Sequence, residues 1–139
     1  MALKKTVNPK IFHFLLLAYA LIIFTESSFP SSDFPEIGLT LADKYVHFII
    51  YFGLCLLFFY SLKNQSKFIK LQEYPLTFSL LFTSLYGVTD ELHQYFVPGR
   101  SSDVLDWIAD TIGALICIIF IKIFYKKLPF INTNKSETT

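Results

Sequence analysis

Residues 90–110 read DELHQYFVPGRSSDVLDWIAD. They hold Asp90, Glu91, His93, Arg100, Asp103, Asp106 and Asp110, yet they join two strongly apolar runs. The link VPGRSS in the middle is a turn signal, since proline presets φ and glycine tolerates the left-handed region. The stretch therefore predicts a helix end, a tight connection and a second helix start. Asp103, Asp106 and Asp110 follow i, i+3, i+7, which is one helical stripe. Asp90 and Gln94 are four apart, with Gly87 and Glu91 beside them on the same side. Asp103 is placed to cap the second helix, and Asp106 lies in its first turn, where the helix dipole favours an acid. Asp110 lies a turn too deep for that explanation.

Working outward, four apolar runs cover roughly residues 9–25, 44–62, 75–96 and 104–124. Each approaches the roughly 20 residues that a helix needs to cross a bilayer. The chain is 53% hydrophobic and 18% aromatic, with a mean hydropathy of +0.49, well above the usual soluble domain. Its length of 139 residues favours one domain over 1–139. The formal net charge of +1 gives no electrostatic case for binding nucleic acid. The first run has lysines ahead of an apolar core, as a signal peptide does. Its small-residue pattern LAYA lies inside the run, so an uncleaved anchor is expected. The fold class expected is an all-α integral membrane four-helix bundle.

Lysine and arginine predict the orientation. Lys4, Lys5 and Lys10 precede the first run, Lys63, Lys67 and Lys70 separate the second from the third, and Lys126 and Lys127 follow the fourth. Residues 26–43 carry Glu26, Asp33, Glu36 and Asp43 and no basic residue. Both termini and the middle loop are thus expected in the cytoplasm, with loops 26–43 and 97–103 outside.

The unusual polar residues then fall at the outer end. The second run opens with Asp43, Lys44 and His47, with Tyr51 one turn further. The third closes with Asp90, Glu91, His93 and Gln94, and the fourth opens with Asp103, Asp106 and Asp110. Three helices are expected to turn these stripes inward around one pocket. Ionisable groups in a membrane are costly unless paired or hydrated, so they usually face a cavity and mark function. Crowded carboxylates cannot all ionise cheaply, which sets a protonated acid beside an ionised base. Arg100 offsets part of that charge and has the fork geometry for a carboxylate or phosphate.

Some of the pattern needs only a structural explanation. Thr40 and Asp43 have capping-box spacing ahead of the second run. Ala109 and Gly113 have the small-xxx-small spacing that lets helices approach. Cys55 and Cys117 sit deep in apolar runs as packing residues, with no disulfide framework. His13 and Trp107 read as interfacial and packing groups. There is no HExxH or comparable ligand motif, so neither a metal nor a cofactor is assigned.

The stretches DKYVHFIIYFGL and DELHQYFVPGRSSDVLDWIADTIGAL resemble the VanZ-like family of small bacterial membrane proteins. The resemblance spans about residues 43–115. It rests on Asp43, Lys44, His47, Tyr51, Asp90, Glu91, Gln94, Pro98, Gly99, Arg100, Asp103, Asp106 and Gly113. Asp110 departs from it, standing where asparagine is common. The resemblance implies a multi-pass membrane protein and, through the member that gives the family its name, a link to resistance against the glycopeptide teicoplanin. It implies no particular reaction.

Four functions compete. The first is an enzyme acting on an envelope amphiphile such as a lipid-linked cell-wall precursor. Glu91 or Asp90 would be its acid or base, Asp106 or His47 the partner, and Arg100 with Lys44 would bind the anionic headgroup. Gln94, Asp43, Tyr51, Asp103 and Asp110 complete that pocket. The second is a binding or accessory protein using the same pocket without chemistry. A proton-coupled transporter is disfavoured, because no acid lies near the midplane of a run and no inverted repeat is present. The fourth is a purely structural set of helix pins. Membrane lipids are the expected surroundings in each case, and the sequence leaves the oligomeric state open.

Overall fold

In the computed structural model, residues 8–30 and 42–129 are described. They form five α-helices and a closing 3₁₀ turn, with no strand among them. Helix α1 spans Lys10–Ser27, α2 Ala42–Asn64, α3 Ile69–Glu73, α4 Pro75–Tyr95 and α5 Val104–Phe124, and the turn is Tyr125–Lys127. The four long helices coincide with the four apolar runs to within a few residues. The five-residue α3, in the basic middle loop, has no periodic signal in the sequence. Lys4, Lys5, Asp33, Glu36 and Thr40 lie outside the described residues, so the Thr40–Asp43 box and part of the charge pattern do too.

Local chemistry fixes the helix ends. The Asn8 side chain accepts from the Lys10 N–H at 3.0 Å. Pro75 opens α4, where its missing N–H costs nothing. Asp103 is extended and accepts from the Leu105 N–H at 2.9 Å, which is the cap expected for α5. Between α4 and α5, the Arg100 N–H returns to the Val97 carbonyl at 3.1 Å. Gly99 supplies the positive φ of 81° that this turn requires.

Helices α2, α4 and α5 pack on one another, and α1 lies against α2 and α4. Toward one end the core is apolar: Phe12, Cys55, Phe59, Tyr60, Ala114, Cys117, Ile118 and Ile121. Both cysteines are buried there as free thiols. Gly113 sets the closest approach, since a Cβ at that position would overlap the Phe48 carbonyl oxygen of α2. His13 meets the Ser61 hydroxyl at 2.6 Å, joining α1 to α2.

Helix α4 is built inside out. Its buried face carries Ser79, Thr83, Gly87, Asp90, Glu91 and Gln94. Its Leu81, Leu85, Val88 and Leu92 face outward. A water-soluble helix does the reverse. The remaining long helices are more apolar, with the polar residues of α2 and α5 gathered chiefly toward their N-terminal ends. Among the described residues, the three segments Lys10–Ser27, Asp43–Asn64 and Val104–Lys127 are long and apolar enough to cross a membrane. Helix α4 has the length, but its inward polar stripe lowers its hydropathy.

Candidate functional site

The polar ends meet. The C-terminal ends of α1 and α4 and the N-terminal ends of α2 and α5 bring their hydrophilic side chains together at one end of the molecule. Helix α2 presents Lys44, His47 and Tyr51 at i, i+3, i+7, the same spacing as Asp103, Asp106 and Asp110 on α5. The two stripes advance side by side. The Lys44 ammonium donates to Asp103 Oδ2 at 2.6 Å and to Asp106 Oδ1 at 2.5 Å, with Asp43 Oδ2 at 3.7 Å. One turn deeper, His47 Nδ1 pairs with Asp110 Oδ1 at 3.0 Å. The Lys44 ammonium and the Leu105 N–H hold the Asp103 carboxyl below the usual carboxylate range.

Helix α4 completes the cluster. Glu91 Oε2 accepts from the Asp103 N–H at 2.8 Å, clamping the α4 end to the α5 start. Asp90 turns toward α1, where the Ser27 hydroxyl donates to its Oδ1 at 2.5 Å. Gln94 donates to the other Asp90 oxygen at 3.2 Å. The Arg100 side chain donates from Nε to the Phe29 carbonyl at 2.8 Å and from Nη2 to the Glu26 carbonyl at 2.7 Å. These contacts tie the interhelical link to the terminus of α1, whose last carbonyls favour a cation. His93 also turns to α1, stacking on Phe24 at 4.4 Å and meeting the Ser28 hydroxyl at 3.0 Å.

The deepest layer is the least satisfied. Tyr51 is 1% exposed, Asp110 0% and Glu91 7%. Among the described residues, the Tyr51 hydroxyl, Glu91 Oε1 and Asp110 Oδ2 have no hydrogen-bond partner, nor does the Thr83 hydroxyl. An unsatisfied buried polar group costs about 1–3 kcal/mol, so such atoms ask for an explanation. Gly87 makes the room: a Cβ there would stand 2.8 Å from Asp110 Oδ2 and 3.3 Å from the Tyr51 and Trp107 rings. Two ligand-bearing triads lie in the cluster, His47–Glu91–Asp110 and Asp43–His47–Asp106. In each, one donor atom per residue lies within 4.8 Å of the others.

The candidate catalytic and binding residues of the sequence all lie at this end of the molecule, whereas Cys55, Cys117 and His13 do not. His47, Glu91, Asp110 and Tyr51 form its buried layer, and Lys44, Asp103 and Asp106 an ion-paired layer beside it. Asp43 stands at the exposed edge. Asp90 and Gln94 face α1. Ser27 is a participant the sequence reading overlooked, because no spacing rule links a serine to an acid 63 positions away. The Trp107 indole, expected only to pack, also donates to the Ser84 carbonyl at 3.2 Å. The Ser84 hydroxyl in turn meets Thr111 at 3.0 Å.

Long apolar helices, outward-facing leucines and a buried polar cluster mark a helical membrane protein. The chain belongs to the VanZ/LLP1 family, whose model matches residues 4–125. That match extends beyond the motif-bearing stretch to include α1. No curated protein and no solved structure matches the chain.

Proposed function

We propose that this family member crosses the membrane four times as a helix bundle, with both termini in the cytoplasm. In this reading the polar end is the extracytoplasmic face, where it acts on the headgroup of a cell-envelope amphiphile such as a lipid-linked wall precursor. Helix α4 supports the fourth crossing. Its 21 residues rise about 31 Å, close to the roughly 30 Å of a hydrocarbon core, and its leucines face outward.

The observation that carries the reading is the buried layer of His47, Asp110 and Glu91. A paired imidazole and carboxylate lie beside a second carboxylate with a free acceptor oxygen, the elements of acid–base chemistry. The contacts favour Glu91 over Asp90 as the working acid, since both Asp90 oxygens already accept from Ser27 and Gln94. They likewise favour His47 over Asp106, which Lys44 holds. An apolar groove of about 310 Å³, lined by Lys44, Tyr45, Phe48, Ala109 and Ile112, lies between α2 and α5 and suits an acyl chain.

The second reading, binding without chemistry, draws on the cations. Lys44 and Arg100 are the charges that would meet an anionic headgroup, and Arg100 also holds α1 in place. Loss of function in Arg100→Ala would therefore mix recognition with folding.

The test compares wild type with Glu91→Gln, a nearly isosteric change, at matched membrane levels in a teicoplanin-sensitive Gram-positive host. The wild type is expected to protect and Glu91→Gln to fail. Equal protection by the variant removes Glu91 from the chemistry and leaves the binding reading. No protection by the wild type severs the antibiotic link for this chain.

A further inference from the structure

We infer that His47, Glu91 and Asp110 hold a divalent metal ion, and that zinc is the ion the donor set fits best. Nothing in the sequence motif announces such a site, because its ligands come from three helices. The structure joins them: an imidazole nitrogen and two carboxylate oxygens lie within 4.8 Å of one another. Ligands around a zinc ion at about 2.0–2.2 Å stand roughly 3–4 Å apart, so the cluster needs only a small contraction to close.

A second observation points to a cation independently of that clustering. Glu91 Oε1 and Asp110 Oδ2 are buried and accept no hydrogen bond among the described residues. These residues are 7% and 0% exposed. Two buried acceptor atoms without donors suit a positive ion. Gly87 keeps the space beside Asp110 Oδ2 clear, where any larger residue would place a carbon. The surrounding contacts resemble the outer support of a metal site. The Asp103 N–H fixes the other Glu91 oxygen at 2.8 Å.

Three protein ligands leave a coordination position open, the pattern of a working rather than a structural zinc site. The ion also answers the charge balance. Asp43, Asp103 and Asp106 share Lys44 and Asp110 pairs with His47, while Asp90 and Glu91 add further acids, a poor welcome for an anionic headgroup without added positive charge. The inference deepens the proposed function by giving the headgroup site its positive charge: with the ion bound, His47 and Glu91 act as its ligands and no longer as the acid–base pair, and metal binding itself can be tested without that reading.

The experiment uses the full chain purified in detergent, stripped with a chelator and titrated with zinc chloride. Bound metal is read by mass spectrometry and by calorimetry. Cobalt(II) is then substituted for zinc to read the ligand field in the visible spectrum. Expected are one ion per chain, a higher unfolding temperature with zinc, and an affinity at least about tenfold weaker in Glu91→Gln and in Asp110→Asn. Asp43→Asn should keep the wild-type affinity. Failure of the wild-type chain to bind zinc overturns the inference, whatever the variants do. So does metal lost in Asp43→Asn but kept in Glu91→Gln, which would move the ion to the Asp43–His47–Asp106 triad. Because the readout is metal alone, antibiotic protection can fail while this site stands, and the reverse.

Discussion

Lys44 gathers three carboxylates, those of Asp43, Asp103 and Asp106. Its side chain is 23% exposed, yet it neutralises Asp106, whose side chain is 5% exposed, and Asp103. Removing one member of a buried pair strands the other charge, at a cost of 3–5 kcal/mol when burial is complete. The partial exposure of Lys44 lowers that to about 2 kcal/mol. Lys44→Met is therefore expected to lower the unfolding temperature in micelles. Adding Asp106→Leu should restore part of the loss. If the two effects simply add, Lys44 and Asp106 are not coupled and that pair does not help hold α2 on α5.

Among the elements, the α2–α5 pair is the tightest. Gly113 lets α5 approach until its backbone meets the Phe48 carbonyl of α2. The obstacle is backbone, which cannot rotate away as a side chain does. Gly113→Ala should push the helices apart and cost about 1–3 kcal/mol, as overpacking does elsewhere. The measurement is thermal unfolding in detergent, and a variant as stable as wild type would show that the pair has slack. The Ala109–Gly113 spacing made this approach legible in advance. So were the long helices, through their apolar runs, and the α5 stripe, through i, i+3, i+7. What local spacing could not supply was the pairing between helices. Ser27 on Asp90 and Arg100 on the α1 carbonyls span 63 to 74 positions and follow from tertiary packing alone. Asp90 and Glu91 are neighbours in sequence and look alike there. In the fold one turns to α1 and the other to α5, which separates their roles.

For the whole molecule, the lysines predict the orientation. Ser101 lies in the α4–α5 link and Lys67 in the α2–α3 connection, and both are exposed. Single cysteines at these places, Ser101→Cys and Lys67→Cys, can be introduced after replacing Cys55 and Cys117 with alanine. A membrane-impermeant thiol reagent applied to intact cells should label the first and spare the second until the membrane is opened. The opposite pattern would put the polar cluster on the cytoplasmic side and end the case for an outer-leaflet substrate.

The inside-out build of α4 also bears on how the chain enters the bilayer during synthesis. Its buried serine, threonine, glycine and acids gain shelter only from neighbouring helices, α2 and α5 and, at Asp90, α1. Presented alone to lipid, a segment of that composition is a reluctant passenger, since charged and polar positions raise the cost of insertion. Helix α2 is already made when α4 emerges, and only the short link over residues 96–103 separates α4 from strongly apolar α5. In a four-crossing arrangement, α4 and α5 would then enter together as a hairpin, with the greasier helix carrying its polar neighbour across.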